Sequence, residues 1–252
     1  VLAFARRLFR RLLPRRIDPL LDVLRPAPED AAQQQQYLQA IGEGRRDPFL
    51  ASRYGEGIRW RGVLAAYLPP PARLLDIGAG NGAVELAMAV GGYRVVSVDT
   101  EWNETARTLG ARRVIADATA LPFREHSFDA VLLLEAVEHL PRPAEVSSQA
   151  ARVLRVGGCV LVTTPPRWRF ALRGDPHFGI PLLLLLPPSL QRAVAAKHGF
   201  GQRHHYVARI YSSAPQVARA LAPLQLRAVL SRSRAPRRWF WDALLLVKSE
   251  ED

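Results

Sequence analysis

From Arg73 onward the chain alternates short apolar runs with stretches whose apolar residues recur at helical spacing. Arg73 to Ile77 predicts a buried strand, Gly78 to Gly82 a glycine turn, Ala83 to Val90 a helix and Arg94 to Val98 a second strand. A helix from Glu104, with Asn103 as its cap, leads to a third strand near Val114. Ala130 to Leu134 predicts a fourth strand, Ala144 to Leu154 a helix and Cys159 to Thr163 a fifth strand. Strands alternating with helices join through right-handed crossovers into a parallel sheet covered on both faces. Residues 166–212 break this rhythm and read as an inserted cap, whose run Leu182 to Leu186 is expected to be a helix packed on the sheet rather than a lipid pocket. Ser213 then caps a helix through Leu221, and strands follow at Leu224 to Leu230 and Ala243 to Val247. The expectation is an α/β fold, a doubly wound, mostly parallel, seven-stranded Rossmann-like sheet with a cap after strand five.

The chain before Arg73 has a different texture. At 100° per residue, Val1, Phe4, Ala5, Leu8, Phe9, Leu12 and Leu13 fall on one side of a helix, and Arg6, Arg7, Arg10 and Arg11 on the other. This basic amphipathic pattern fits an interfacial membrane anchor, an organelle transit segment or a helix packed on the domain. Residues 26–48 are polar and proline-rich and read as a linker or exposed helix. The division expected is residues 1–48 as helix and linker, and 49–252 as the main domain with 166–212 as its substrate-binding cap.

With 252 residues and 48% hydrophobic composition, the chain can bury one ordinary core, which excludes wholesale disorder. No stretch reaches the ~20 consecutive apolar residues of a membrane span, so a cytoplasmic protein is expected. Cys159 is the sole cysteine, so neither an internal disulfide nor a cysteine-based zinc cluster can form. The net charge of +12 is uneven: +5 over residues 1–70, −2 over 71–165 and +9 over 166–252. Basic flanks favour an anionic partner, whether nucleic acid, acidic lipid or phosphorylated metabolite, without choosing among them.

The middle carries the chemistry. Leu74 to Gly82 ends a strand in closely spaced glycines, where a ligand can approach the backbone and meet the free N–H groups of the next helix. Taken alone, Gly78, Gly80 and Ala83 also fit the dinucleotide pattern, with Asp99 21 residues downstream in the place of the ribose acid. Asp76 changes the ligand. A carboxylate two positions before Gly78 suits an amino group and disfavours a pyrophosphate. Asp99 ends the second strand, where it can hold two ribose hydroxyls. Asp117 and Ala118 follow the third, where a carboxylate and a backbone N–H can hold an adenine edge.

These segments resemble the class I S-adenosylmethionine-dependent methyltransferases of the small-molecule type. The family patterns D-x-G-x-G-x-G, D-A-x-x-L-P-F-x-x-x-x-F-D and E-x-x-E-H read here as Asp76 to Gly82, Asp117 to Asp129 and Glu135 to His139. Arg152 to Gly158 looks like the family's turn into strand five, with Val156 where proline is usual. The resemblance covers about residues 54 to 165. It implies S-adenosyl-L-methionine as cofactor, with Asp76, Gly78, Gly80 and Gly82 at its methionine end, Asp99 on the ribose, Asp117 and Ala118 on the adenine, and Glu135 on the rim of strand four. His139 is the candidate general base, and its alternative role is a structural hydrogen bond.

Acceptor choice falls to the cap. His177 is a candidate for catalysis and, with Tyr206, for acceptor binding. A metal site is disfavoured, since His204 and His205 are adjacent rather than one helical turn apart. Trp239, Phe240 and Trp241 read as anchors of the last strand. The function expected is methyl transfer to a small molecule, lipid-like or phosphorylated. The rivals are an RNA methyltransferase, favoured by the basic C-terminal third, a non-catalytic cofactor-binding interaction protein, and a nicotinamide oxidoreductase, which leaves Asp117 to Asp129 unexplained.

Overall fold

Strand β4 (Phe128–Leu134) is buried along its whole length, as a central strand covered on both faces must be. It runs parallel to β1 (Arg73–Ile77) on one side, with Val131 opposite Leu75, and to β5 (Leu154–Thr163) on the other, with Val131 opposite Val160. Strands β2 (Arg94–Asp99) and β3 (Arg113–Ile115) continue the parallel sheet beyond β1. Strands β6 (Gln225–Leu230) and β7 (Ala243–Val247) are antiparallel, and β7 sits against β5, so the seven-stranded order is β3-β2-β1-β4-β5-β7-β6. The computed structural model describes residues 48–101, 112–171, 174, 179–197, 211–230 and 242–248. The expected helices at the N-terminus and from Glu104, and Trp239 to Trp241, lie outside them.

Alternation along the strands divides the interior into two layers. Val131, Leu133, Val160 and Val162 face a core closed by α3 (Pro143–Val153) and α6 (Ala214–Ala220) through Val146, Ala150 and Val217. Leu74, Leu132, Leu134 and Leu161 face the other, closed by α1 (Pro48–Ala65) and α2 (Ala83–Val90) through Trp60, Leu64, Val84 and Met88. Leu132 and Leu133 are fully buried on opposite faces, and each contributes about 1.5–3 kcal/mol of burial.

Helix α1 begins at the residue where the polar segment was expected to end. Pro48 stands at its first position, where the missing N–H has no intrahelical partner to lose. Leu50, Tyr54 and Ile58 recur one turn apart and bury against Ala83 and Ala87. The two helices touch closely because residue 57 is glycine, where a Cβ would lie 2.7 Å from the Ala87 Cβ.

Strands four and five begin earlier than expected, at Phe128 and Leu154. Phe128 pairs with Leu154, then the register shifts before Ala130 meets Cys159. Gly158 sits inside that irregularity, where a Cβ would press on the Asp129 carbonyl at 2.8 Å. Asp129 clamps the amino-terminal ends of the strands, accepting from the Arg73 N–H at 2.7 Å and pairing with the Arg155 Nε at 3.1 Å.

Two further expectations are corrected. Ser213 stands at the N-cap of α6 but makes no side-chain cap bond. Pro215 removes one donor such a cap would use, and Gln216 reaches back to accept from the Ser212 N–H at 2.8 Å. Leu182 to Leu186 is not a helix: only Leu183–Leu185 form a 3-10 turn, entered through Leu182 at φ 63°. Pro187 and Pro188 hold the residues before them out of the helical region, so the run cannot propagate until α5 (Pro188–Ala195).

Candidate functional site

The strand order reverses between β1 and β4, and the carboxyl ends of these neighbours bound the crevice where open α/β sheets take ligands. β1 delivers Asp76 there, on the sheet face covered by α1 and α2. Asp76 is buried, and its Oδ2 has no hydrogen-bond partner. Burial, reinforced by nearby Glu85, pushes its carboxyl up from 3.8 to about 7, with Arg53 and Arg113 pulling the other way.

The turn that follows requires glycine at two points. Gly78 has φ 76° and lies so close to the turn after β4 that a Cβ would meet the Ala136 Cβ at 2.9 Å. Gly80 has φ 55°, yet a Cβ there would meet nothing within 4 Å. Its conformation disfavours a side chain while the space beside it stays open. Its N–H donates to Asp99 Oδ2 at 2.9 Å and its carbonyl accepts from the Arg113 guanidinium, so its two backbone polar groups are tied to β2 and β3. Gly82 precedes α2 at φ 78°, and Asn81 Oδ1 accepts from the Ala83 N–H at 3.1 Å.

Asp99 closes β2, with Oδ1 accepting from the Thr100 N–H at 2.8 Å. Asp117 follows β3 and is exposed, with Ala118 buried beside it. Its Oδ1 accepts from the Thr119 N–H at 2.8 Å and its Oδ2 from Arg142 at 3.2 Å. The hydrogen bonds from Thr119, with Arg142 adding to them, lower its carboxyl below the usual range. Arg142 also binds Glu145 and the Thr119 hydroxyl, and nothing in the local sequence marks it for this role.

At the end of β4, Glu135 adopts φ 55°, a left-handed conformation uncommon for a side-chain-bearing residue, held by its N–H donating to the Thr163 carbonyl and Oγ1. Burial raises its carboxyl, and Glu138 and Glu56 raise it further. Burial raises Glu138 too, and neither of its oxygens has a hydrogen-bond partner. His139 ends a one-turn 3-10 helix (Val137–His139), half-exposed, with Nε2 3.9 Å from Glu138 Oε1. Over this group α1 lays Arg53, which donates to the Leu134 carbonyl at 3.0 Å and to Glu56 at 2.6 Å. Arg53 and Glu56 escape the sequence reading. The signal available was the helical spacing of Leu50, Tyr54 and Ile58.

Asp76, Gly78, Gly80, Gly82, Asp99 and Glu135 thus converge at the carboxyl ends of β1, β2 and β4, with Asp117 and Ala118 just past β3. His177 and Tyr206 lie outside the described residues. Cys159 is buried within β5, and burial pushes its thiol up to about 11, far from a nucleophile's range. An unpartnered buried carboxylate oxygen, a glycine turn with open space at Gly80 and an acid at the end of β2 fit the ammonium, carboxylate and ribose of an S-adenosylmethionine molecule.

Residues 75–162 match a family model described as a methyltransferase domain. Over 121 residues the chain is 35% identical to a demethylmenaquinone methyltransferase of Clavibacter sepedonicus, covering 42% of this chain and 49% of that protein. It is 42% identical over 108 residues to a 27-O-demethylrifamycin SV methyltransferase of Amycolatopsis mediterranei, covering 38% of this chain and 40% of that one. The chain therefore spans about half or less of the curated relatives it matches. A Burkholderia thailandensis 1,6-didemethyltoxoflavin-N1-methyltransferase, solved with its substrate and S-adenosylhomocysteine, shares the fold with a TM-score of 0.54 over 90% of this chain and 92% of its own, at 17% identity. The glycine turn, the acids at the strand ends and the Glu135 to His139 segment all fall within the stretch, residues 75–162, that matches the methyltransferase-domain family.

Proposed function

We propose that the chain transfers a methyl group from S-adenosyl-L-methionine to a small-molecule acceptor with apolar character. The observation that carries this is the convergence of Asp76 with its orphaned oxygen, the Gly78 to Gly82 turn and Asp99 on one crevice within the matched domain. The cofactor brings an activated sulfonium methyl. The protein's task is to hold it in line with a nucleophile and keep water out. In this reading Asp76 takes the ammonium, the Gly78 and Gly80 backbone accommodates the methionine end, Asp99 accepts from the ribose hydroxyls, and Asp117 with the Ala118 N–H holds the adenine edge. Glu135 lines the rim nearest the reacting centre.

His139 stands at the mouth with Glu138 behind it and would take an acceptor's proton at Nε2. Residues 166–212 leave β5 from its carboxyl end, and the Arg167 N–H donates to the Tyr211 carbonyl at 3.0 Å, so the entry and exit of this segment meet beside the crevice. That supports 166–212 as the acceptor cap, with His177 and Tyr206 choosing the substrate. The relatives named for demethylmenaquinone and demethylrifamycin support a carbon-rich acceptor over a nucleic acid. The test is incubation with methyl-labelled S-adenosylmethionine and a fractionated host extract. Label is expected in the lipid or small-molecule fraction, and label in RNA alone overturns the reading. With an acceptor in hand, His177→Ala and Tyr206→Ala should lower turnover or raise KM while S-adenosylhomocysteine affinity changes by less than about 1 kcal/mol.

A further inference from the structure

Large apolar side chains are exposed at seven described positions, and four of them, Trp168, Leu182, Leu185 and Leu190, lie within the cap, at 41, 51, 47 and 51% exposure. They are not scattered. Leu182 and Leu185 bracket the buried Leu183 and Leu184 at the two ends of one 3-10 turn, so the two exposed leucines lie within the same short turn. The Leu182 N–H donates to the Ala171 carbonyl at 2.8 Å, which sets the leucine turn beside α4 (Arg167–Phe170), the short helix that carries Trp168. Gln191 donates to the Leu186 carbonyl at 2.7 Å and ties α5, with Leu190, to the far side of the same turn.

The segment that carries this patch is basic in sequence. Residues 166–212 hold seven arginines and lysines against one acid, Asp175. An exposed apolar patch on a segment of strongly basic sequence matches the chemistry of an anionic bilayer, whose headgroups attract arginine and lysine while leucine and tryptophan enter the headgroup boundary. No described helix is long and apolar enough to cross a membrane, so the contact is one of surface docking. We propose that this face of the cap docks on anionic lipid, which would bring an apolar-tailed acceptor to the crevice from the bilayer side. The inference rests on reading residues 166–212 as the acceptor cap. It differs from an anchor in the N-terminal amphipathic segment because it places the apolar contact on Leu182, Leu185, Leu190 and Trp168.

The full chain is sedimented with vesicles of phosphatidylcholine mixed with phosphatidylglycerol, and with phosphatidylcholine alone. Binding is expected only to the mixed vesicles and should weaken as salt is raised. Leu182→Asp/Leu185→Asp should lower partitioning about tenfold or more, since it replaces two apolar contacts with two charges repelled by the surface. S-adenosylhomocysteine binding, read on the same samples, should hold. Loss of vesicle binding with cofactor binding intact thus bears on the docking face and leaves the methyl-transfer reading untouched. If the double variant fails to fold, Trp168→Phe decides: quenching of tryptophan fluorescence by brominated lipid should fall in that variant. Equal partitioning of folded wild type and double variant, unchanged quenching in Trp168→Phe, or retention on mixed tRNA without vesicle binding overturns the proposal.

Discussion

Replacing Asp76 by asparagine keeps the shape of the side chain and removes its charge, so the two consequences of that charge separate. In the free protein the carboxylate is a burden: it is buried, its Oδ2 has no partner, and its pKa rises from 3.8 to about 7. A carboxyl moved that far is on the order of 4 kcal/mol harder to ionise than in water. Because the folded pKa lies above the unfolded one, the penalty is absent below the unfolded value, grows through the interval and is complete above about 7. Asp76→Asn should therefore gain stability relative to wild type as pH rises, by about 2–3 kcal/mol between pH 5 and pH 8. Any cost of the amide's own hydrogen-bonding needs does not vary with pH, so the slope carries the result. In the liganded protein the sign reverses. Loss of a charge-assisted bond to the ammonium, worth about 1.5–3 kcal/mol, should raise the S-adenosylhomocysteine Kd about 10- to 150-fold. Urea unfolding at both pH values and calorimetry of S-adenosylhomocysteine read the two effects. A stability difference that is flat in pH, or an unchanged Kd, would refute the placement of Asp76 beside the ammonium.

Asp99→Ala should raise the Kd for S-adenosylhomocysteine about 10- to 100-fold by calorimetry, because it removes the proposed ribose acceptor and frees the Gly80 N–H it holds at 2.9 Å. Arg53→Met should weaken cofactor binding and lower the unfolding midpoint, since it strips a cation from beside Asp76, Glu135 and Glu138 and leaves the Leu134 carbonyl without its donor. A midpoint and Kd both within error of wild type would remove α1 from the site. For Asp129, burial raises the carboxyl but the bonds from Arg73 and the charge of Arg155 outweigh it, so the net shift is downward. Its contribution is complete above the unfolded pKa and is lost as pH falls through the depressed folded value. Asp129→Ala should thus cost about 1–3 kcal/mol at pH 7 by urea unfolding, with the deficit closing in strong acid and cofactor affinity little changed.

The parts of the site that share one stretch of backbone were legible in the sequence. Asp76, Gly78, Gly80 and Gly82 announce a strand end and a turn because the conformations of Gly78 and Gly80 are available to glycine and cost any other residue dearly. Asp99, Asp117 and Glu135 were readable as strand-end residues because each follows an apolar run whose length fixes where the strand stops. Cys159 could be excluded as a nucleophile because alternation inside β5 already buried it. The sequence, by itself, determined the sheet's elements and the acids and glycines at its rim.

The tertiary structure decided what those residues stand next to. Arg53 reaches the Leu134 carbonyl across 81 positions, and Arg142 reaches Asp117 across 25, separations that no local window of pattern can span. The burial that raises Asp76 is a property of α1 and α2 packed over β1, and no residue type encodes it alone. The place of β7 between β5 and β6 follows from antiparallel pairing along its whole length, a long-range choice that apolar runs permit without specifying. Leu182 to Leu186 makes the same point: of five identical residues two are buried, two exposed and one lies between, because flanking prolines and a left-handed Leu182 set the turn's geometry, and composition treats all five alike. Local backbone preference wrote the elements into the chain, while their contacts depend on a three-dimensional arrangement that exists only once the sheet has closed its two cores.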